Sequence, residues 1–275
     1  LLSQMYEKNS LINMDGATSD AIDEFMGKKH NWPIVPIPVD VNDMRNPEKR
    51  KKSLPNLMQI SYIGRSGSVW KRRPVKKLIQ DLIKLKNLSF KINIYTDQTN
   101  PYREELEMLC NERISIEYYI GLYGSEIRDH LSQHSDLHFS MGTAALEGGL
   151  AGLPTVLIDP SYYDFPDSYK YRWLYQTERN SLGRFISEDQ SRFIGMTMEE
   201  VIEICSNKEA RNTVAGYCAQ YVLENHSALR VTEKLLAHTA NATMKDICKF
   251  TPATWPIVNS VKTLLSGDAG RFRNA

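Results

Sequence analysis

Residues 134–159, HSDLHFSMGTAALEGGLAGLPTVLID, constrain this chain more than any other stretch. Asp136 to Ser140 reads as a short strand. Met141, Gly142 and Thr143 form a tight turn, Ala144 to Ala151 a helix, and Pro154 to Ile158 a second, wholly apolar strand. Gly152 with Pro154 just beyond it is helix-stop chemistry: glycine accepts the left-handed conformation and proline cannot continue a helix. Strand, helix and strand in so few residues fit a crossover between parallel strands.

The amino-terminal end of that helix carries the chemistry. Gly142 lets the backbone approach a ligand, and first-turn amides are unpaired and positively polarised. Thr143 offers a hydroxyl, and Glu147 sits one turn deeper on the same face. Such an end can hold a phosphate and a sugar hydroxyl together. The same strand, turn and helix also occur as plain connections in α/β domains, so the geometry alone leaves both readings open.

The chain before this stretch repeats the alternation. Met58 to Ile63 reads as a strand, Gly64 to Pro74 as a loop, and Val75 to Lys86 as a helix with an apolar stripe of Val75, Leu78, Ile79, Leu82 and Ile83. The loop is neither a Walker A motif nor GxGxxG. Its Gly64, Arg65, Lys71 and Arg72 suit a pyrophosphate, and a solvated surface loop fits them equally. Phe90 to Thr96 and Ile114 to Tyr119 are further strands. Asn100 to Cys110 and Glu126 to Gln133 are helices between them. The expected fold class is therefore α/β: a Rossmann-like parallel sheet with helices on both faces. Ligands in such sheets bind outside the carboxyl ends of the strands. Those ends carry Gly64-Arg65, Thr96-Asp97, Gly121 to Ser125, Ser140 to Thr143 and Asp159-Pro160.

The flanks are less regular. Ser19-Asp20 is placed to cap a helix over Ala21 to Met26, with Ile22, Phe25 and Met26 as its apolar positions. Pro33, Pro36 and Pro38 make residues 32–40 an extended connector. The basic run Lys49 to Lys52 reads as a solvated loop. After Asp159, an aromatic segment either covers a sugar or base, or packs Tyr171, Trp173 and Leu174 as a helix face. Met198 to Cys205, Glu209 to Glu224 and Ser227 to Ala240 read as helices, the last with Leu229, Leu235 and Leu236 inward. Met244 to Ser266 breaks at Trp255-Pro256 and continues as an apolar helix.

Composition narrows the partners. A formal net charge of +1 argues against a dedicated nucleic-acid binder. The four cysteines show no zinc spacing and read as free thiols in a reducing, cytoplasmic compartment. No run reaches membrane-spanning length and no signal peptide is evident.

Taken in order, VPIPVDV, ISYIGRSGSVWKRR and IEYYIGLYGSEIRDHLSQHSDLHFSMGTAALEGGLAGLPTVL resemble the second half of a GT-B glycosyltransferase. They come nearest to the retaining, group 1 enzymes of polysaccharide and lipopolysaccharide synthesis. The resemblance spans about residues 32–240. It implies three regions: 1–55 as the remnant of an amino-terminal acceptor lobe and linker, 56–240 as the donor-binding domain, and 241–275 as a crossing helix and tail. It implies transfer of a sugar from a nucleoside-diphosphate sugar to a glycan or lipid-linked acceptor. Neither cofactor nor metal is implied, and peripheral membrane association would run through the missing lobe, at the inner membrane face. Position by position, Arg65 and Lys71 or Arg72 would grip the pyrophosphate. Gly142 and Thr143 would meet the phosphates, and Glu147 would accept from the ribose. Tyr95 to Asp97, Thr96 among them, and Gly121 to Tyr123 would border the base. The family usually carries two glutamates with seven residues between them. Glu147 matches the second, while the first falls on Phe139, so its role would pass to Ser140 or His138. A nucleotide-sugar 2-epimerase-like isomerase and a non-catalytic nucleotide-binding module are the alternatives. The amino-terminal lobe looks incomplete, so the chain is expected to be part of a longer protein.

Overall fold

The computed structural model describes residues 6–7, 11–46, 56–65, 67–99, 101–186 and 194–240. The basic run at 49–52 and the expected helix at 244–266 lie outside the described residues. Ile12–Leu236 form one compact unit. A second unit takes Leu1–Leu11 with Ala237–Ala275.

The unit opens with helix α1, Gly16–Met26. Strand β1 is Leu57–Ile63, α2 Val69–Lys84, β2 Ser89–Thr96, α3 Arg103–Met108 and β3 Ile114–Ile120. There follow α4, Gly124–His134; β4, Leu137–Ser140; α5, Thr143–Leu150; and β5, Thr155–Leu157. Strand β6 is Arg172–Trp173, and helices α6 Met198–Ser206, α7 Lys208–His226 and α8 Ala228–Ala240 close the described chain. One sheet runs β3-β2-β1-β4-β5-β6. The first five strands are parallel, as the alternation requires.

The last strand is a correction. β6 pairs antiparallel with β5, with Val156 opposite Trp173. Tyr171, Trp173 and Leu174 are buried, but in a β-bridge to Met196, a strand and a 3₁₀ turn respectively rather than on a helix face. A two-residue strand is too short to show a period.

Other boundaries moved for local reasons. α1 starts at Gly16 because Asp15, not Ser19, accepts the Thr18 amide at 2.7 Å. Phe25, expected inward, is 81% exposed. α2 begins at Val69 and contains Pro74. Proline at 74 leaves the Trp70 carbonyl without its helical donor. The Ser161 amide takes that carbonyl at 3.2 Å. In α8 the buried residue is Val231, while Leu229, Leu235 and Leu236 face outward.

The core follows the sheet. Ile60, Ile92, Leu137, Phe139, Val156 and Leu157 are fully buried. The helix stop at 152 forms as expected. Gly152 and Leu153 amides donate to Gly149 and Gly148 carbonyls, the paired bonds of a Schellman end. Gly148 is required by contact: a Cβ there would lie 2.3 Å from His138 Cδ2 and 2.4 Å from Thr155 Oγ1. Helix α5 can therefore lie close on β4 and β5.

Candidate functional site

β1 has β2 on one side and β4 on the other, so the strand order reverses there. Loops diverge from such a point and leave a cleft outside the carboxyl ends. Two adjoining cavities occupy it. One, of about 250 Å³, is walled by Tyr95, Thr96, Asp97, Leu122, Tyr123 and Glu147. The other, of about 350 Å³, is walled by Asp15, Trp70, Lys71, Gly142 and Gly183. Ile63, Gly64, Arg65, Thr143 and Ala144 belong to both.

The larger cavity is the cationic end. Arg65 is exposed. The Lys71 ammonium lies 5.0 Å from the Trp70 ring centre. Burial, then the nearby Arg65, pull Lys71 below its usual range, and Asp97 opposes them. Arg72 and Arg73 are paired with Glu105 and Asp164, whereas no described carboxylate forms an ion pair with Arg65 or Lys71. Two neighbouring cations without a carboxylate partner favour an incoming anion.

The α5 amino terminus faces the same space. Gly142 has φ 59° and ψ −149°, a conformation open essentially to glycine. Its amide donates to the Leu182 carbonyl at 2.6 Å, so it is not the amide left for a ligand. Those of Thr143 and Ala144 have no carbonyl four residues back within the helix, and no side chain caps them.

The other end is built around Glu147. Arg128 Nε donates to one carboxylate oxygen at 2.7 Å, and Arg128 Nη2 lies 3.4 Å from the other. The Glu147 side chain remains 24% exposed, the Arg128 side chain 8%. Tyr95 forms an adjacent wall, stacked on Tyr119 at 5.1 Å with its hydroxyl 2.8 Å from His130 Nδ1.

The cleft thus gathers Gly64, Arg65, Lys71, Thr96, Asp97, Tyr123, Gly142, Thr143 and Glu147. It does not gather three expected residues. Arg72 bonds Glu105 at 2.7 Å and stacks over Tyr102 at 4.4 Å. Gly121 spends its amide on the Thr96 carbonyl in the turn after β3. Ser140 is buried and donates to the Ile63 carbonyl at 2.9 Å. His138 is also internal. Its Nε2 donates to the Ala144 carbonyl at 3.1 Å, which leaves Nδ1 to accept from Ser61 at 2.9 Å. Burial holds this ring down at about 4, against the Ala144 bond. Phe139 is fully buried, edge-on to Tyr171.

Sequence reasoning missed Asp15, Arg128, Leu182 and Gly183. Asp15 carried a signal, since Asp three residues before Thr18 is a helix start. The others arrive through tertiary contacts. Asp159, buried after β5, accepts from Arg172 at 2.6 Å, from the Arg184 amide at 2.9 Å and from the Tyr169 hydroxyl at 3.2 Å. It thereby fixes the loop carrying Leu182 and Gly183. Beside that loop, Phe185 stacks on Tyr162 at 5.4 Å and meets Trp70 edge-on at 5.7 Å.

No protein-family model and no curated protein matches the sequence. Solved structures do. A glycosyltransferase from Rickettsia africae is similar at a TM-score of 0.54 and 14% identity, over 88% of this chain and 68% of its own. Sucrose-phosphate synthase from Thermosynechococcus elongatus gives 0.50 and 12%, over 86% and 60%. A point mutant of S. aureus TarM, solved with fondaparinux, alpha-GlcNAc-glycerol and UDP, gives 0.50 and 13%, over 86% and 46%. The chain spans less than two thirds of the latter two. At these identities the likeness shows the fold, the Rossmann-like half expected from the GT-B resemblance.

Proposed function

We propose that this chain is the donor-binding part of a glycosyltransferase that moves a sugar from a nucleoside-diphosphate sugar to a polysaccharide or lipid-linked acceptor. One observation carries the reading. Two cations that no carboxylate pairs among the described residues, Arg65 and Lys71, share a cleft with the α5 amino terminus, and a half-open carboxylate, Glu147, stands one turn deeper in the same cleft. That order matches diphosphate and ribose in a nucleotide. Residues 56–240 are the donor domain in this reading. The fold shared with TarM, which was solved with UDP, is consistent with it.

Glycosyl transfer breaks the bond between the anomeric carbon and the terminal phosphate oxygen. A bond from the acceptor oxygen to that carbon forms, and the acceptor's hydroxyl proton passes to the departing diphosphate or to water. Negative charge grows on the departing diphosphate. Arg65, Lys71 and the Thr143 and Ala144 amides would stabilise it where it forms. The acceptor hydroxyl belongs to the second substrate. Among the described residues no helix is long and apolar enough to cross a membrane. In this proposal a lipid-linked acceptor is met by peripheral contact at the cytoplasmic membrane face.

A second reading, a non-catalytic nucleotide-binding module, is favoured by one feature: Phe139 fills the place of the family's first glutamate, buried against Tyr171. The test is a thermal-shift and calorimetry panel of UDP, GDP, ADP, CMP and their sugar conjugates, with Glu147→Ala alongside. Binding of one diphosphate, weakened in the mutant, supports the donor site. Binding by none removes its basis. Sugar transfer by the full-length protein then separates enzyme from module.

A further inference from the structure

Arg128 is an unusual neighbour for a ligand-facing carboxylate. It sits on α4, and its residue is 7% exposed. Three of its donors are engaged: Nε and Nη2 to the two oxygens of Glu147, and Nη1 to the Asp40 carbonyl at 3.3 Å. Asp40 belongs to the extended segment before the sheet. That segment is itself tied down, by the Val39 amide to the His226 carbonyl at 2.8 Å and by the Arg45 amide to the Leu150 carbonyl at 2.7 Å. Arg45 Nε also reaches Asp129, the neighbour of Arg128, at 2.7 Å. The guanidinium is thus clamped from two sides.

The asymmetry of the pair is informative. A bridge serving packing alone would hide both partners. Here the guanidinium is hidden while the carboxylate lines the cavity. A carboxylate has about four lone-pair sites. The Arg128 fork uses one on each oxygen and orients the group, leaving the remaining sites for donors from the cleft. Two adjacent hydroxyls are the donor pattern that fits two carboxylate oxygens side by side.

We propose that Arg128 is a positioning residue that holds Glu147 in the orientation needed to accept from the vicinal diol of a ribose. This rests on the nucleotide reading above. It adds a specificity element: the site selects a ribonucleoside over one without its hydroxyls, and that selection depends on a residue that need not touch the ligand. Lysine at 128 keeps the charge but loses the planar fork, so it cannot fix both oxygens and the Asp40 carbonyl at once.

The experiment measures the affinities of UDP, GDP and ADP, and of their 2′,3′-dideoxy counterparts, for the whole chain and for Arg128→Lys. In the wild type the diphosphate that binds is expected to bind about 10–100-fold more tightly with its hydroxyls than without them, the span of hydrogen bonds to a charged group. In Arg128→Lys that ratio should fall towards one, while the dideoxy compound binds as in the wild type. That second result separates loss of positioning from general damage. If Arg128→Lys does not fold, Arg128→Gln, whose amide cannot grip both Glu147 oxygens and the Asp40 carbonyl together, is the second variant, and it must lose the ratio too. An unchanged ratio in the folded variant overturns the inference and leaves the nucleotide reading standing. A wild-type ratio of one overturns the inference and removes the ribose half of that reading, leaving the diphosphate half. Binding of no diphosphate by the wild type overturns the reading, and the inference with it.

Discussion

The Gly142 amide donates to the Leu182 carbonyl at 2.6 Å, joining the turn after β4 to a loop forty residues further on. The bond needs the Gly142 backbone at φ 59° and ψ −149°. It closes one wall of the cationic cavity, since Gly142, Leu182 and Gly183 all line it.

Gly142→Ala tests that wall. Forcing alanine into this region costs about 1–3 kcal/mol, or the turn relaxes and the Leu182 bond is lost. Nothing lies within 4 Å of an added Cβ, so the effect is backbone strain and not a clash. A lower Tm with weaker diphosphate binding is expected, read by thermal shift with and without nucleotide.

Arg65→Ala and Lys71→Ala should each weaken diphosphate binding about 10–100-fold, as loss of a charge-assisted hydrogen bond does. Arg72→Ala should change it little, because Arg72 is held by Glu105 and Tyr102. Calorimetry at two salt concentrations checks this. The wild-type affinity should fall with salt more steeply than that of either cleft mutant.

Asp159→Ala removes the anchor of the 182–184 loop and leaves Arg172 without its partner. Breaking such a buried pair costs about 3–5 kcal/mol. The measurement is urea unfolding, and an unchanged midpoint would show that the loop is held by other means.

His138 predicts an acid limb of stability. The folded ring titrates at about 4, below the ordinary value of 6.5. A depressed pKa means that the unfolded chain binds the proton first as pH falls. The stability held above pH 6.5 is therefore lost progressively between about 6.5 and 4. At most this amounts to about 3 kcal/mol. His138→Gln, if it folds, should show a shallower loss across that window in urea unfolding at stepped pH.

Much of the framework was legible because its causes are local. Strand, turn and helix signals from Met58 to Ile158 depend on periodicity and on glycine and proline chemistry within a few residues. The parallel pairing of β1 to β5 followed from them, whereas their order across the sheet came from the folded chain. The cleft residues Gly64, Arg65, Lys71, Gly142, Thr143 and Glu147 were readable too, because a parallel sheet must present its strand ends on one edge.

Tertiary structure decided whatever depends on partners distant in sequence. Pro74 stays inside a helix because the Ser161 amide answers the freed Trp70 carbonyl. Arg72 leaves the cleft for Glu105, and Ser140 and His138 turn inward to Ile63, Ser61 and Ala144. Arg128 finds Glu147 across two helices and Asp40 across 88 positions of sequence. A side chain's type limits what it can bond, but which partner satisfies it depends on distances that exist only after the sheet has closed. The sequence alone determined the kind of sheet and the edge on which its cleft opens. The folded chain determined which polar groups on that edge were already spent inside the protein and which still face the cleft.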